Sequence, residues 1–337
     1  MANAHTAEQL TTAAYADPYK LCWLRWIDQA MSRRNDKHAT LTAFQEDLLL
    51  AACPSGSRVV KSEYFRPEYV PGPVRCVARL PDGSERNLVL RLARHGSVEE
   101  EARLLPILAR VGIPVPEVLV GPQREPGTSG AAMAVYSFLG GMNLQELSES
   151  SDEGCAIAAG LVVEGAKKLA DLTDELKADV RAQFLQTYTL LDQLAMIVRA
   201  AGPWVHEKTF ADAVDALRPV LSGISDPPVF TGGDYQPANF LTDGKMLTGF
   251  VDFENSRYQD FLFGFAKYPV YDLHPLNKAG LVPYLLRRTS VEPEHFDIRL
   301  ALGCLVTLQR EIPVTGGENG YREHVLRLLA GALRSIR

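Results

Sequence analysis

Residues 229–241 read VFTGGDYQPANFL, and residues 247–254 read LTGFVDFE. Asn239 follows Asp234 by five positions, and Asp252 lies at the end of the next apolar stretch. A carboxylate on a rigid loop can accept the proton of an attacking hydroxyl group, while an amide oxygen and a second carboxylate can coordinate Mg²⁺. The pattern therefore predicts Asp234 as a catalytic base and Asn239 and Asp252 as metal ligands.

The residues between these side chains predict a hairpin. Residues 240–241 are typical of a short strand, residues 242–245 of a tight turn, and residues 247–251 of the partner strand. This hairpin would deliver Asn239 and Asp252 to the same end. In the alternative interpretation Asp234 and Asn239 only cap turns and Asp252 is a solvated acid at a strand end, but three such residues at this spacing favour a site.

Residues before this segment are rich in strands. Alternation predicts strands at residues 58–65, 74–80, 86–93 and 131–138, with turn chemistry at residues 81–83 and a helix at residues 98–111. Helices are also predicted at residues 18–33 and, with Thr40 as N-cap, at residues 40–52. These two helices would form an extension beside the sheet.

Beyond Gly141 the pattern changes to long amphipathic stretches. Helices are predicted at residues 156–176, 180–201 and 210–221, and three more between residues 281 and 336. A strand-rich part followed by a helical part predicts two lobes with a cleft between them. We expect an extension at residues 1–56, a first lobe at 57–139 and a helical lobe at 140–337.

Composition limits the possible classes of protein. The 337 residues are 46% hydrophobic with a net charge of −6, as in a globular protein without the basic face that nucleic acid requires. The five cysteines have no metal-ligand spacing and are expected to be reduced. The first residues do not resemble a signal peptide and no run is long enough to cross a bilayer, so we expect a cytoplasmic protein with no membrane partner.

Other catalytic motifs are missing from the sequence. It contains no G-x-S-x-G, no H-E-x-x-H and no G-x-x-x-x-G-K-[ST]. The seven histidines are scattered, which favours surface or packing roles.

The segment around Asp234 resembles the H-G-D-x-x-x-x-N and I-D-[WF]-E blocks of the aminoglycoside phosphotransferase and choline kinase-like families, and Gln259 and Asp260 stand where these families carry Gly-Asp. The resemblance implies an α+β, bilobal protein-kinase-like fold, with a small antiparallel-sheet lobe containing one helix and a larger, mainly helical lobe. It also implies ATP, or GTP, with Mg²⁺ and phosphoryl transfer to the hydroxyl group of a small molecule. Asp234 would be the base, with Asn239 and Asp252 on the metal.

Weaker matches extend the resemblance over the first lobe. Residues 88–92 resemble the strand with the phosphate-binding cation, residues 101–105 the helix whose Glu pairs with it, and residues 112–116 the G-[LIV]-P-V-P loop. Residues 135–138 resemble the hinge that hydrogen-bonds the adenine. The resemblance thus implies a nucleotide site that contains the following residues: Val89, Arg91, Glu101, Tyr136, Ser137 and Phe138.

Alternation in the third strand supports a role for Arg91. It puts Val89 and Arg91 on one face and Leu88, Leu90 and Leu92 on the other. Arg91 would face the cleft, where a guanidinium suits two phosphate oxygens. The alternative is a solvated edge arginine, and which residue of Glu99–Glu100–Glu101 would pair with it stays open.

Three features depart from the family pattern. Gly232 replaces the usual His, which is expected to loosen the loop, and Arg91 stands where protein kinases have Lys. The first hairpin, at residues 64–73, lacks the glycines that let backbone amides approach phosphates. They favour an alternative, a pseudokinase or regulatory protein that binds nucleotide without turnover.

The sequence is compatible with more than one acceptor. An aminoglycoside-like antibiotic or a small metabolite would fit, and Glu254, Asp260 and Asp272 would suit an amine, although Asp260 also suits a helix cap. Tyr258, Tyr268 and Tyr271 are interpreted as packing residues rather than substrate contacts. The chain is expected to be a monomer or a homodimer.

Overall fold

The computed structural model describes residues 37–65, 72–92, 97–127, 131–271, 275–277, 279–315 and 320–336. A small lobe is built on an antiparallel sheet and one crossing helix, and a larger lobe is mainly helical. The predicted fold class is confirmed. The helix predicted at residues 18–33 lies outside the described residues.

Five antiparallel strands form the sheet of the small lobe, in the order β1-β2-β3-β5-β4. Their bounds agree with four predicted strands, and β4 was not predicted. The strands are β1 (Arg58–Tyr64), β2 (Val74–Arg79), β3 (Glu85–Leu92), β4 (Val118–Gln123) and β5 (Met133–Ser137). The predicted turn before β3 is present, with Gly83 at φ 86° and the Leu80 N–H donating to the Ser84 carbonyl at 2.8 Å.

Two helices cover opposite faces of this sheet. The leucines Leu88 and Leu90 of β3 are fully buried in one cluster with Leu49 of α1 (Ala43–Leu50). Val89 instead packs into the cluster that contains α2 (Val98–Arg110). The predicted alternation is therefore confirmed, and it directs position 91 toward α2.

The N-cap of α1 corrects a prediction. Thr42, rather than Thr40, caps this helix, because Gln45 lies three residues after Thr42 and completes a reciprocal capping box. The helix packs on the sheet through Leu48 and Leu49. The boundary expected at residue 56 stays a prediction.

The larger lobe contains nine helices among the described residues. They are α3 (Leu144–Ser150), α4 (Asp152–Ala170), α5 (Thr173–Ala178), α6 (Leu190–Ala200), α7 (Lys208–Ser222), α8 (Lys267–Val270), α9 (Leu281–Thr289), α10 (Pro293–Thr315) and α11 (Tyr321–Ser335). The three helices expected near the C-terminal end are present. None of the helices described is long and apolar enough to span a membrane.

Two predicted helices were too long. The helix predicted at residues 156–176 is divided between α4 and α5. The stretch predicted at 180–201 is α-helical only from Leu190, because the segment before it pairs with a distant strand. Tyr188 donates its N–H to the Tyr258 carbonyl at 2.9 Å, and Thr189 then caps α6.

Two small sheets contain the strands that flank Asp234. The predicted hairpin is present as β8 (Phe240–Thr242) and β9 (Leu247–Phe250), and β6 (Met142–Asn143) pairs with β8. A second pair joins β7 (Val229–Thr231) to β10 (Arg257–Gln259). The loops after β7 and β9 therefore lie next to each other.

The described cysteines differ in burial, and this difference provides a test of the fold. Cys76, Cys155 and Cys304 are buried, whereas Cys53 is half-buried, and burial raises the pKa of Cys76 and of Cys304 to about 12. Because the thiolate is the reactive form, we expect an aromatic disulfide reagent at pH 8 to modify Cys53 well before the other three. Peptide mapping by mass spectrometry reads the order, and equal rates for Cys53 and Cys304 in the native protein would contradict this packing.

Candidate active site

The loop that carries Asp234 follows β7 directly. The Thr231 hydroxyl oxygen accepts a hydrogen bond from the Gly233 N–H at 3.1 Å, which turns the chain. Gly233 has φ 82°, and a Cβ atom there would collide with the backbone carbonyl of Asn255. This position therefore requires glycine.

Aromatic residues brace the same loop. The buried Tyr235 ring packs against Phe265, with centroids 4.9 Å apart, and the Tyr235 carbonyl accepts a hydrogen bond from the Tyr268 hydroxyl at 2.7 Å. Gly232 faces the Phe253 ring, which would lie 3.6 Å from a Cβ atom at that position. The loop that was expected to be loosened by Gly232 is thus held by other contacts.

Asn239 and Asp252 lie at one end of the β8–β9 hairpin. The Val251 N–H donates to the Asn239 carbonyl at 3.0 Å, which joins the two strands beside the loop. The Asn239 amide nitrogen donates to the Asp234 carbonyl at 3.3 Å, so its side-chain oxygen is the atom left to accept or to ligate. Asp252 has φ 67°, a left-handed conformation that Asp tolerates better than most residues.

Arg91 contacts three carboxylates. Its Nε donates to Glu101 at 2.6 Å, and its Nη2 contacts Asp252 at 2.5 Å and Glu254 at 3.1 Å. Arg91 is only 6% exposed and Glu101 is 2% exposed. The pairing glutamate left open by the sequence is therefore Glu101, and the solvated-arginine alternative is wrong.

The carboxylates stabilise the charged form of this buried arginine. Burial acts to lower the pKa of Arg91, but Glu101, Asp252 and Glu254 more than offset it, so the net direction is upward. For Glu101, burial raises the pKa, and the attraction of Arg91 only partly opposes this rise. The Phe253 N–H also donates to Glu101, at 2.8 Å, so this carboxylate binds both Arg91 and the segment after β9.

The three predicted hinge residues, Tyr136, Ser137 and Phe138, make different contacts. The Tyr136 side chain is buried and its hydroxyl lies 3.4 Å from Glu101. The Ser137 N–H donates to the Glu117 carbonyl at 2.9 Å, and the Ser137 hydroxyl accepts from the Glu117 N–H at 2.8 Å. Phe138 follows, with the Arg75 guanidinium 4.6 Å from its ring centroid. The Ser137 N–H is thus already used, and Phe138 is the first hinge position after the strand.

Sequence reasoning missed a lysine at the loop. Lys267, at the start of α8, forms an ion pair with the Asp234 Oδ1 atom, which also accepts the Gln236 N–H at 3.0 Å. The side chains of Lys267 and Asp234 are 18% and 31% exposed. Nothing in the local sequence signals this contact, because the two residues are separated by three strands and two 3₁₀ turns.

Two of the acidic residues suggested for an amine acceptor are already paired. Glu254 is buried against Arg91. Asp260 is bound by the fully buried Arg299, with 2.6 Å between Nη2 and Oδ2, and it accepts the Phe263 N–H at 2.8 Å. That suggestion is therefore wrong for both. Asp260 binds the first N–H of the 3₁₀ turn Phe263–Ala266, but the N-cap of that turn is Leu262, so the helix-capping alternative for Asp260 is not confirmed. Asp272 lies outside the described residues.

The three tyrosines predicted to be packing residues contact the hydrophobic core, and two of them are fully or almost fully buried. Tyr258 is 4% exposed and Tyr268 is fully buried, whereas Tyr271 is half-buried against the same core.

The oxygen ligands fit magnesium. No group of three His, Cys, Asp or Glu side chains able to hold a metal occurs within the described ranges. Mg²⁺, however, is usually held in kinases by one or two carboxylates together with substrate phosphates and water. Asn239 and Asp252 offer hard oxygen donors at adjacent positions and suit a shared ion of this kind.

The comparisons with known proteins agree with this geometry. Residues 77–290, more than half of the chain, match the family model described as the phosphotransferase enzyme family, APH. The chain belongs to the APH phosphotransferase family. No curated protein matches the sequence.

Solved structures similar to this APH family member are aminoglycoside phosphotransferases. A thermostable mutant of APH(4)-Ia, in a ternary complex with AMP-PNP and hygromycin B, is 15% identical with a TM-score of 0.62, covering 87% of this chain and 99% of that one. The GDP and kanamycin complex of APH(2")-IIia is 15% identical with a TM-score of 0.59, covering 86% and 98%. Likeness at this identity establishes the fold.

The Arg91 cluster gives a stability prediction. Arg91→Met would leave Glu101 buried without its partner, and breaking a buried pair in this way costs about 3–5 kcal/mol. We expect urea denaturation to report a loss of that order in the free energy of unfolding.

The matched control is Arg79→Met. Arg79 pairs with Glu85 at 2.7 Å, but both side chains are more than 40% exposed, so a change below about 1 kcal/mol is expected. Equal losses for the two variants would show that the Arg91 cluster does not stabilise the fold.

Proposed function

We propose that this protein is a kinase that transfers the γ-phosphoryl group of ATP or GTP to a hydroxyl group of a small molecule, with Asp234 as the catalytic base. One observation carries the proposal. The loop after β7 and the segment after β9 bring Asp234, Asn239 and Asp252 together, and Arg91 contacts Asp252 from the sheet lobe at 2.5 Å.

Asp234 has one oxygen available for an acceptor. Its Oδ1 atom is occupied by Gln236 and Lys267, whereas Oδ2 accepts no hydrogen bond from the described residues. An acceptor hydroxyl that donates to Oδ2 is oriented for attack. As its oxygen bonds to the γ-phosphorus, its proton passes to Oδ2, and the bond from the γ-phosphorus to the β–γ bridging oxygen breaks to release the nucleoside diphosphate. Positioning of this kind accounts for most of the catalysis expected in phosphoryl transfer.

Asn239 and Asp252 would hold Mg²⁺. A bound Mg²⁺ would neutralise the charge that develops on the transferred group. Arg91, fixed by Glu101 through Nε, would contact phosphate oxygens with its Nη atoms, of which Nη2 now contacts Asp252 and Glu254. The nucleobase of the nucleotide would be bordered by Val89, Tyr136, Ser137 and Phe138, with Phe138 nearest to the open end of β5.

The similar structures support the choice of ligands. They are complexes with AMP-PNP or GDP and with hygromycin B or kanamycin. We therefore infer a nucleoside triphosphate as donor and a hydroxylated small molecule, such as an aminoglycoside-like antibiotic or a metabolite, as acceptor. The cytoplasmic location and the state as monomer or homodimer stay predictions from the sequence.

A second candidate is a nucleotide-binding protein without turnover. Two observations favour it: Lys267 pairs with Asp234, and Arg91 pairs with Asp252. Both pairs neutralise the carboxylates that the reaction uses. Retention of Asp234, Asn239 and Asp252 together favours the enzyme.

Substitution of the base separates these two candidates. Asp234→Asn removes the proton acceptor but keeps the shape of the side chain, so we expect phosphate transfer from Mg·ATP to fall at least about 100-fold. The measurement is ADP release with hygromycin B, with kanamycin and with water alone as acceptor. Thermal unfolding with Mg·ADP should be the same for variant and wild type.

The control is Asp212→Asn, an exposed acid on α7 paired with Lys208, which should leave the rate unchanged. A wild-type rate in Asp234→Asn would refute the assignment of the base. Binding of Mg·ADP without any ADP release by the wild-type protein would support the second candidate.

A further inference from the structure

The first two residues of α8 contact the catalytic loop at two consecutive positions. Lys267 pairs with the Asp234 side chain, and the next residue, Tyr268, donates its hydroxyl to the carbonyl of the residue after Asp234 at 2.7 Å. Two adjacent residues of the helix therefore contact two adjacent residues of the loop: Lys267 binds the side chain of Asp234, and Tyr268 binds the backbone of Tyr235. The carboxylate and the peptide that follows it are fixed by the same helix.

We propose that Lys267 is a positioning residue for the phosphoryl-transfer reaction, which sets the rotation of the Asp234 carboxylate; this inference rests on the proposed function. The terminal torsion of an Asp side chain is broad, so a single hydrogen bond from Gln236 leaves the carboxylate free to turn. A second donor on the same oxygen removes that freedom. Oδ2 is then directed to the acceptor.

Charge and burial agree with a positioning role. Lys267 is only 18% exposed, so its ammonium group is held at the carboxylate rather than solvated. A surface pair such as Lys208–Asp212, whose side chains are 85% and 54% exposed, lacks this restraint. Catalytic groups are effective only when held close to the productive geometry.

The helix that carries Lys267 is itself anchored. Asp260 accepts the N–H of Phe263, the first residue of the 3₁₀ turn Phe263–Ala266, which leads without a break into α8. Arg299 of α10 holds Asp260 with both Nε and Nη2 and is 1% exposed. A continuous set of contacts therefore runs from α10 through Asp260 to Lys267 and on to Asp234.

Steady-state hydrolysis of Mg·ATP by water tests the proposal without knowledge of the acceptor. We expect Lys267→Met to lower kcat at least 10-fold while KM for ATP changes less than twofold, and Lys267→Arg to restore part of the rate. In the Asp234→Asn background, Lys267→Met should have no further effect, because it acts through that carboxylate. Lys208→Met, which removes an exposed lysine of a similar pair, should behave as wild type.

Other results would overturn the proposal. A loss in Lys267→Met that multiplies with the loss in Asp234→Asn would mean that Lys267 acts independently of the carboxylate. A rise in KM with unchanged kcat would make it a nucleotide-binding residue. Thermal stabilisation by Mg·ADP is measured on every variant, so a protein that binds no nucleotide counts against the proposed function rather than against Lys267.

Crystal structures of the wild type and Lys267→Met decide the question even when hydrolysis is too slow to measure. The proposal expects the Asp234 carboxylate to rotate, or to occupy two conformers, in the variant while the loop backbone is unchanged. The same single rotamer in both proteins would overturn it. Tyr268→Phe, which removes the backbone contact and keeps Lys267, should retain the wild-type rotamer.

Discussion

The buried guanidinium of Arg91 is the interaction on which the arrangement of the two lobes depends. It comes from β3 in the small lobe, and its three carboxylate partners come from α2 and from the segment after β9 in the helical part of the chain. Charges taken out of water are tolerated only when each is paired. This side chain, together with the Phe253 N–H bound by Glu101, therefore fixes the sheet, the crossing helix and the segment after β9 relative to one another.

The loop that carries Asp234 is fixed by a different set of contacts. The β8–β9 hairpin joins Asn239 to Val251, and glycine at position 233 allows the close approach of Asn255. Helix α8 contacts Asp234 through Lys267 and the following peptide through Tyr268. Each of the proposed site residues is thus restrained by elements that are distant in the sequence, so the proposed site requires the complete fold of both lobes.

Local patterns in the sequence predicted the features that depend on neighbouring residues. The spacing of Asp234 and Asn239, the hairpin turn and the alternation around Arg91 are all properties of short segments, and the structure contains each arrangement. Contacts between distant segments were not predictable in this way. Lys267 at Asp234, Arg299 at Asp260 and the pairing of residue 188 with Tyr258 arise from packing that no local pattern records. For the same reason the helix predicted from residue 180 began too early.

The most direct test of the account is a crystal structure of the protein with AMP-PNP and Mg²⁺. The account predicts a metal ion bound to the Asn239 side-chain oxygen and to Asp252, Arg91 contacts to phosphate with Glu101 still paired, and the γ-phosphate next to Oδ2 of Asp234. A nucleotide bound elsewhere, or bound in the cleft with no metal on Asn239 and Asp252, would contradict the central claim that these residues form a phosphoryl-transfer site.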